Sequence, residues 1–379
     1  MITCLLVRLF TPVFVIFALA ACASQSPIAR APAYTPEQLL QGSQFGLHPE
    51  PIPAVDLLAV NDDMRAFVHQ HVPDMGVNDR RKIELLLRAI LDDGLNLNYN
   101  NFLTFTAEEA FYSREGNCMS FTNLFVALAR EAGVNAKFQE VEVPPSWAAR
   151  GDTWLLNLHI NAVIDLPGYE QVVDFNLNDY SRDLHRRELT DREALARYHN
   201  NMGVHWMGEG DYERAFMQFK RAIQLRPGTG YFYTNLGTLF RRLEQETAAE
   251  SAYLVAIGID DEPVASSNLA RLYDGQGEDE LARYYRERVE LFRTRNPYYL
   301  FHLAEEAYAR AEYDEAEDLL LNALRRHPRD HEIYRLLGLT HLQLGDYWLA
   351  EKRFRQAAEL AEGEALERYN HKLELLANY

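Results

Sequence analysis

Apolar residues recur along this chain with two different periods, and the change from one to the other organises its first half. Between residues 61 and 133 the spacing is helical. Asn61, with Asp62 and Asp63, places a cap and two acids before an apolar-periodic run, and Asn78 opens DRRKIELLLRAILDD, which Gly94 ends. Thr106-Ala107-Glu108-Glu109 is a capping box leading into Ala110-Phe111-Tyr112, and Gly116 is expected to break that helix. After Cys118 another helix begins, with Phe121, Leu124, Phe125 and Leu128 on one stripe and Gly133 as its stop. Beyond Gly133 the period becomes two. AKFQEVEV (136–143) alternates loosely, while NLHINAVIDL (157–166) sets Leu158, Ile160, Ala162 and Ile164 on one side and His159, Asn161, Val163 and Asp165 on the other. Pro167-Gly168-Tyr169 reads as a hairpin turn into EQVVDFN (170–176), where Val172, Asp174 and Asn176 share a face. Residues 37–195 are therefore expected to form an α+β domain, helices first and strands after.

The second half repeats itself. From a glycine or alanine anchor, a small residue recurs twelve positions on, an aromatic or large apolar one at sixteen, and a small one at nineteen. Gly203 gives Ala215, Phe219 and Ala222, with Pro227 closing the unit; Gly237, 34 residues later, gives Ala249, Tyr253 and Ala256. Ala304 gives Ala316, Leu320, Ala323 and Pro328, and Gly338, again 34 on, gives Ala350, Phe354 and Ala357. A degenerate unit around Ala270 and Ala282 fills the gap between them. Small residues let paired helices approach, large ones fill the space between, and proline ends the second helix. GDYERA (210–215) and GDYWLA (345–350) supply turns. About five such units resemble tetratricopeptide repeats, which implies an all-α solenoid over residues 196–379 with a concave face for a peptide or protein segment. The competing expectation is a platform that only packs against the preceding domain.

The amino terminus says where such a protein would reside. Arg8, the apolar run from Leu9 to Ala18 and the small residues before Cys22 read as an export signal, too short for a comfortable membrane span. Leu19-Ala20-Ala21-Cys22 resembles the lipobox of bacterial lipoproteins, which implies loss of residues 1–21 and a diacylglycerol on the Cys22 sulfur. Ala23 and Ser24 follow with no acid at the second position, which by likeness to enterobacterial lipoproteins implies the outer membrane, facing the periplasm. Residues 22–36 read as a lipidated, flexible tether. The net charge of −18, or −19 once Arg8 is gone, opposes binding to nucleic acid, and no long basic patch offsets it. The expected partners are the membrane, through the anchor at Cys22, and a protein or peptide, through the repeats.

Export sharpens the meaning of the cysteines. Cys4 leaves with the signal and Cys22 carries lipid, so Cys118 is a lone thiol in an oxidising compartment. Most lone cysteines are inert core fillers. This one, in SREGNCMSF, starts a helix, where unpaired N–H groups and the helix dipole favour negative charge. His159 on the polar side of a strand and Asp174 one strand over supply a base and a carboxylate to orient it. Taken singly, the histidine reads as an ordinary strand residue and the aspartate as a turn cap. His69 and His71, two apart on a helix, are poor metal partners and no cysteine pair is present, so no metal and no cofactor is expected.

Gly116-Asn117-Cys118, the segment AREAGVNAK (129–137), His159 and Val173-Asp174 together resemble the core of the transglutaminase-like superfamily of papain-type cysteine enzymes, over roughly residues 100–180. The resemblance implies a papain-like α+β fold, with Cys118 as nucleophile, His159 as general base and acid, and Asp174 orienting the imidazole. The chain departs from many members in having Asn161 two residues beyond the histidine and Phe175 after the aspartate. Asn101, Asn117 and Asn161 are candidates for oxyanion or substrate contacts, beside the Cys118 backbone N–H.

Two classes of function follow. The first is a membrane-anchored envelope cysteine enzyme acting on amide bonds of peptides or proteins, by hydrolysis or acyl transfer through a Cys118 thioester, with the repeats holding substrate or partner. The second is a non-catalytic scaffold lipoprotein that assembles envelope proteins. Within the enzyme class, Asn117-Cys118-Met119-Ser120-Phe121 is also similar to the cysteine step of NlpC/P60 peptidoglycan peptidases.

Overall fold

Short polar side chains start the helices of the first domain, because each supplies an acceptor for backbone N–H groups that the first turn leaves unpaired. Thr35 opens α1 (Pro36–Leu39), Asn61 opens α2 (Asp62–His71), Asn78 opens α3 (Asp79–Leu91), Thr106 opens α4 (Ala107–Ser113) and Asn117 opens α5 (Cys118–Glu131). The computed structural model describes residues 30–73, 76–92, 94–100, 103–141, 148–150, 153–155, 159–175, 186–361 and 363–376. The leader, Cys22, Asn101, Leu158 and Asn176 lie outside the described residues.

The α4 helix stops sooner than expected. Arg114 takes the left-handed conformation at φ 56°, and the next two residues form β2 (Glu115–Gly116), parallel to β1 (Asn98–Tyr99). Gly116 serves a different purpose from the helix breaker read in the sequence: a Cβ there would stand 2.3 Å from the Ser120 Cβ, so its absence lets the first turn of α5 close over the strand.

The α5 helix is buried along its length from Met119 to Ala129. It shares one core with α2, α3 and an antiparallel sheet of order β7-β6-β3-β8. These strands are β3 (Ala136–Val141), β6 (His159–Leu166), β7 (Tyr169–Val173) and β8 (Arg186–Leu189), while β4 (Ala148–Arg150) and β5 (Thr153–Leu155) pair only with each other. Phe138, Ile160, Ala162 and Ile164 face the core, as the alternation predicts. The last strand, RREL, is too short and polar to announce itself; it pairs with β3 from Phe138↔Leu189 to Val141↔Arg186.

Helical hairpins follow without a break. They are α6 (Asp191–Gly208) with α7 (Tyr212–Leu225), α8 (Gly230–Arg242) with α9 (Glu246–Asp260), and α10 (Pro263–Gln276) with α11 (Asp279–Arg295). Next come α12 (Pro297–Ala309) with α13 (Tyr313–Arg326), α14 (His331–Leu344) with α15 (Tyr347–Leu360), and finally α16 (Gly363–Leu376). The anchor residues are small because the aromatic ring of the paired helix lies where a side chain would go: a Cβ on Gly203 would come within 2.5 Å of Phe219, and one on Gly237 within 2.7 Å of Tyr253. The degenerate unit is a complete hairpin, in which Tyr273 stacks on Tyr285 with centroids 5.7 Å apart.

Residues 30–48 depart from the sequence reading, which gave the first seven to a flexible tether and the rest to the α+β domain. They lie along the solenoid instead. Leu39, Phe45 and Leu47 are 0, 5 and 3% exposed and join the core of the first repeats, with Phe45 against Phe240 at 4.6 Å. Ser251 Oγ accepts from the Ala33 and Tyr34 N–H groups at 3.0 and 3.2 Å, and Arg30 pairs with Glu278 at 2.7 Å. The physical reason is that three large apolar side chains in a short stretch gain more by burial on the repeats than a solvated tether gains in freedom.

The two domains are tied by charge. Glu140 on β3 accepts from Arg197 on α6 and from Arg187 on β8, and Arg187 also reaches Glu193 at 2.8 Å. Arg130 at the end of α5 donates twice to Asp191, at 2.7 and 2.9 Å.

Replacing Phe45 by alanine removes a side chain buried between repeats. It should lower the unfolding free energy by about 3 kcal/mol in urea denaturation; a change near zero would return this segment to the role of a tether.

Candidate active site

The sulfur is placed by its neighbours in sequence. Asn117 holds extended geometry (φ −84°, ψ −177°), and its Oδ1 accepts from the Ser120 N–H at 3.1 Å, so Cys118 becomes the first residue of α5. The Asn117 Nδ2 donates to Thr104 Oγ1 at 2.7 Å, and Ser120 Oγ both accepts from the Phe105 N–H at 2.8 Å and donates to the Leu103 carbonyl at 3.1 Å. These bonds clamp residues 103–105 onto the first turn. Asn117 thus has its Oδ1 and one N–H engaged inside the protein. Thr122 Oγ1 donates to the Cys118 carbonyl at 2.8 Å and lies 3.3 Å from that of Ile160, tying the turn to β6. Cys118 is partly exposed and unbridged.

His159 is the first residue of β6, and Asp174 follows the last residue of β7. The ladder runs from Leu166↔Tyr169 to Ala162↔Val173, so one further step sets Asp174 opposite Asn161 and diagonal to His159. Both contacts form. His159 Nε2 meets Asp174 Oδ2 at 2.5 Å, and Asn161 Nδ2 donates to the same oxygen at 3.0 Å. Asn161 therefore supports the carboxylate, and its Oδ1 is buried without a partner among the described residues. Asn101 lies outside the described residues.

The imidazole also shares a hydrogen bond with the Cys118 side chain. Burial pulls the ring's proton affinity down, but the hydrogen bonds and negative charges of Asp174 and Cys118 outweigh it and raise His159 to about 9. The structure thus brings Cys118, His159 and Asp174 together as one connected line.

Two aromatic residues complete the surroundings. Tyr99 stacks on Phe175 at 5.5 Å and 26°, and Phe175 meets Phe121 edge-on at 4.9 Å. The position of Phe175 next to Asp174 was a signal in the sequence; nothing there linked it to Tyr99, which is separated from it by the whole domain. At the far end of the sheet, exposed Asp165, Glu170 and Glu188 bring their oxygens within 4.8 Å of one another. Lys137 Nζ sits among them, 2.8 Å from Asp165 and 3.1 Å from Glu188, and supplies the counter-charge.

Residues 82–162 match the family model of the transglutaminase-like superfamily, and residues 301–368 match a tetratricopeptide repeat model. The chain carries a transglutaminase-like domain followed by a tetratricopeptide-type helical solenoid. The first match spans Cys118 and His159 and ends before Asp174. No curated protein matches the chain. Among solved structures it is similar to MamA, at 18% identity over 44% of this chain and 91% of that one, with a TM-score of 0.24. It is similar to PilF of Pseudomonas aeruginosa, at 14% identity over 50% and 90% with a TM-score of 0.26. It is also similar to YrrB, described as a tetratricopeptide protein with an unusual peptide-binding site, at 18% over 48% and 94% with a TM-score of 0.25. Overlaps this low transfer no function.

A histidine raised from its ordinary 6.5 to about 9 stabilises the fold while it is protonated. That contribution is full below about pH 6.5 and is lost as pH rises through about 9. In urea denaturation, the advantage of wild type over His159→Gln should be about 3 kcal/mol near pH 6 and should shrink toward zero by about pH 10. An advantage that grows with pH would contradict the protonated ring.

Proposed function

We propose that this chain is a membrane-anchored envelope cysteine enzyme that acts on amide bonds of peptides or proteins through a thioester on Cys118. The observation that carries the reading is the line from the Cys118 thiol through the His159 ring to Asp174, with its last bond at 2.5 Å. In the reaction, the Cys118 sulfur attacks the amide carbonyl and forms a tetrahedral intermediate. Its oxyanion takes a hydrogen bond from the Cys118 N–H, which as the first of α5 has no helical carbonyl to serve. The imidazolium gives its proton to the departing amine as the C–N bond breaks, leaving the acyl group on sulfur. Water or a second amine then attacks the thioester, the neutral ring accepts its proton, and sulfur departs. Asp174 stays ionised and holds the ring in line.

Two further features support the reading. Asn201 on the first solenoid helix reaches Met119, the residue after the nucleophile, with Nδ2 3.7 Å from Sδ. The first repeat helix thus packs against the residue next to Cys118, and a segment bound by the repeats would be held at raised local concentration near the site. The lipobox-like Leu19–Cys22 supports an anchor at Cys22 in the outer membrane, facing the periplasm. None of the described helices is long and apolar enough to cross a membrane.

The test uses casein with dansylcadaverine as the acyl-accepting amine, casein alone with release of ammonia or of new peptide amines as the readout for hydrolysis, and purified muropeptides as a second substrate. Wild type should turn over a protein amide, and Cys118→Ser and His159→Ala should each lose about 100-fold or more. On the alkaline side, kcat/KM should fall as His159 loses its proton near pH 9. Turnover of muropeptides alone would assign the peptidoglycan-peptidase branch. Iodoacetamide labelling of Cys118 that is equally slow in wild type and His159→Ala, without turnover of any substrate, would make the chain a scaffold.

A further inference from the structure

Asn161 brings a disadvantage to the fold that an apolar residue would avoid. It is the third residue of β6, 2% exposed, and its Oδ1 finds no donor. The residue directly opposite on β3 gives no relief, because Gln139 is 4% exposed and its own Oε1 is also buried without a partner. An amide oxygen taken out of water with no donor weakens a fold. Val163, two residues further along the same face, is buried and needs none. Nor can the amide of Asn161 turn over. That would set Oδ1 against Asp174 Oδ2, two acceptors with no proton between them.

What the asparagine supplies lies at the other end of its amide. Its Nδ2 donates at 3.0 Å to Asp174 Oδ2, the same oxygen that His159 Nε2 meets at 2.5 Å. A hydrogen bond to an ionised carboxylate draws negative charge from the oxygen and lowers its affinity for a proton. Such sharing matters to a ring that must part with a proton during the reaction. Among the described residues, the charges acting on the ring come from Cys118 on α5 and from Asp174 just beyond β7, and they raise it to about 9 against the pull of burial. Tyr99 on β1 feels the same two charges. In the row across the sheet, Val141 of β3 stands between His159 and Arg186 of β8. With one donor fewer on its oxygen, the carboxylate would hold the ring's proton more tightly still, and the ring would be a poorer acid toward a departing amine.

We propose that Asn161 is a positioning residue of the reaction: acting through Asp174, it loosens the carboxylate's hold on the His159 proton so that the ring can deliver it to the leaving amine. The proposal rests on the line of Cys118, His159 and Asp174 and adds to it a residue that works only through the carboxylate. Asn161 need not be the sole other donor to Asp174, since the test removes its share alone.

Asn161→Val takes away the donor and the unserved oxygen together. Followed by nitrogen-15 NMR, the His159 ring of this variant should release its proton about one pH unit higher than that of wild type. In the casein and dansylcadaverine reaction, kcat should fall about threefold with KM unchanged. The urea midpoint should equal or exceed that of wild type, because the unserved oxygen is gone. A further measurement needs no variant: the Asn161 side-chain amide resonance of wild type should move over the same pH range as the ring, since both donate to one oxygen. A ring that titrates alike in wild type and Asn161→Val overturns the proposal, and with a lowered midpoint it makes Asn161 a structural residue only. So does a ring that releases its proton at lower pH in the variant, a kcat that does not fall, or an amide resonance that ignores the ring's titration. A wild-type ring that titrates near 6.5 contradicts the line of three residues and this proposal with it, while a ring near 9 that is indifferent to Asn161 contradicts this proposal alone.

Discussion

The bond between the His159 ring and the Asp174 carboxylate is the interaction on which the rest of the first domain depends. Each residue is 6% exposed, and burying either charge alone would cost several kcal/mol. Together they satisfy one another, and Asn161 adds a second donor to the same carboxylate oxygen. The pairing constrains the sheet. It requires β6 and β7 to hold the register that ends at Ala162↔Val173, since a slip of one residue would turn His159 toward the core face and Ile160 away from it. It requires α5 to lie across the opposite, apolar face of β6, which Thr122 secures by bonding at the start of both elements. The thiol then arrives at the ring because it is the first residue of that helix. The three side chains are thus held by rigid elements, with residues 103–105 clamping the first turn of α5.

The solenoid is attached to this domain firmly. The α6 helix begins where β8 ends, capped by Thr190 and Glu193, and the Glu140, Arg187, Arg197 and Glu193 cluster crosses the junction. Charges that are partly withdrawn from solvent and multiply bonded fix orientation better than a flexible linker would. Residues 30–48 bind the first repeats from another side, so the segment leading back toward Cys22 departs from the third hairpin, where Arg30 meets Glu278.

Much of this was legible in the sequence because it depends on local rules. Caps at Asn61, Asn78 and Thr106, the alternation in β6 and the small-aromatic-small spacing of the repeats each reflect contacts between residues close in the chain or in a fixed period. The order of Cys118, His159 and Asp174 was legible for the same reason: a helix start and two strands of one hairpin carry them. What escaped depended on contacts that no local pattern encodes. Spacing alone did not show that Asn117 donates to Thr104 or that Asn161 donates to Asp174. The short β8 had too few apolar residues to be recognised without its partner β3. Residues 30–36 read as a tether and 37–48 as part of the α+β domain, and only the flank of the first repeats explains why Leu39 and Phe45 bury there.

The most direct measurement of the account is a nitrogen-15 NMR titration of the His159 ring in wild type and in Cys118→Ala. Coupling through the line of three residues predicts a ring that keeps both protons to about pH 9 in wild type and releases one at distinctly lower pH when the sulfur is removed. A ring that titrates near its ordinary value of 6.5 in both proteins would contradict a joined thiol, imidazole and carboxylate.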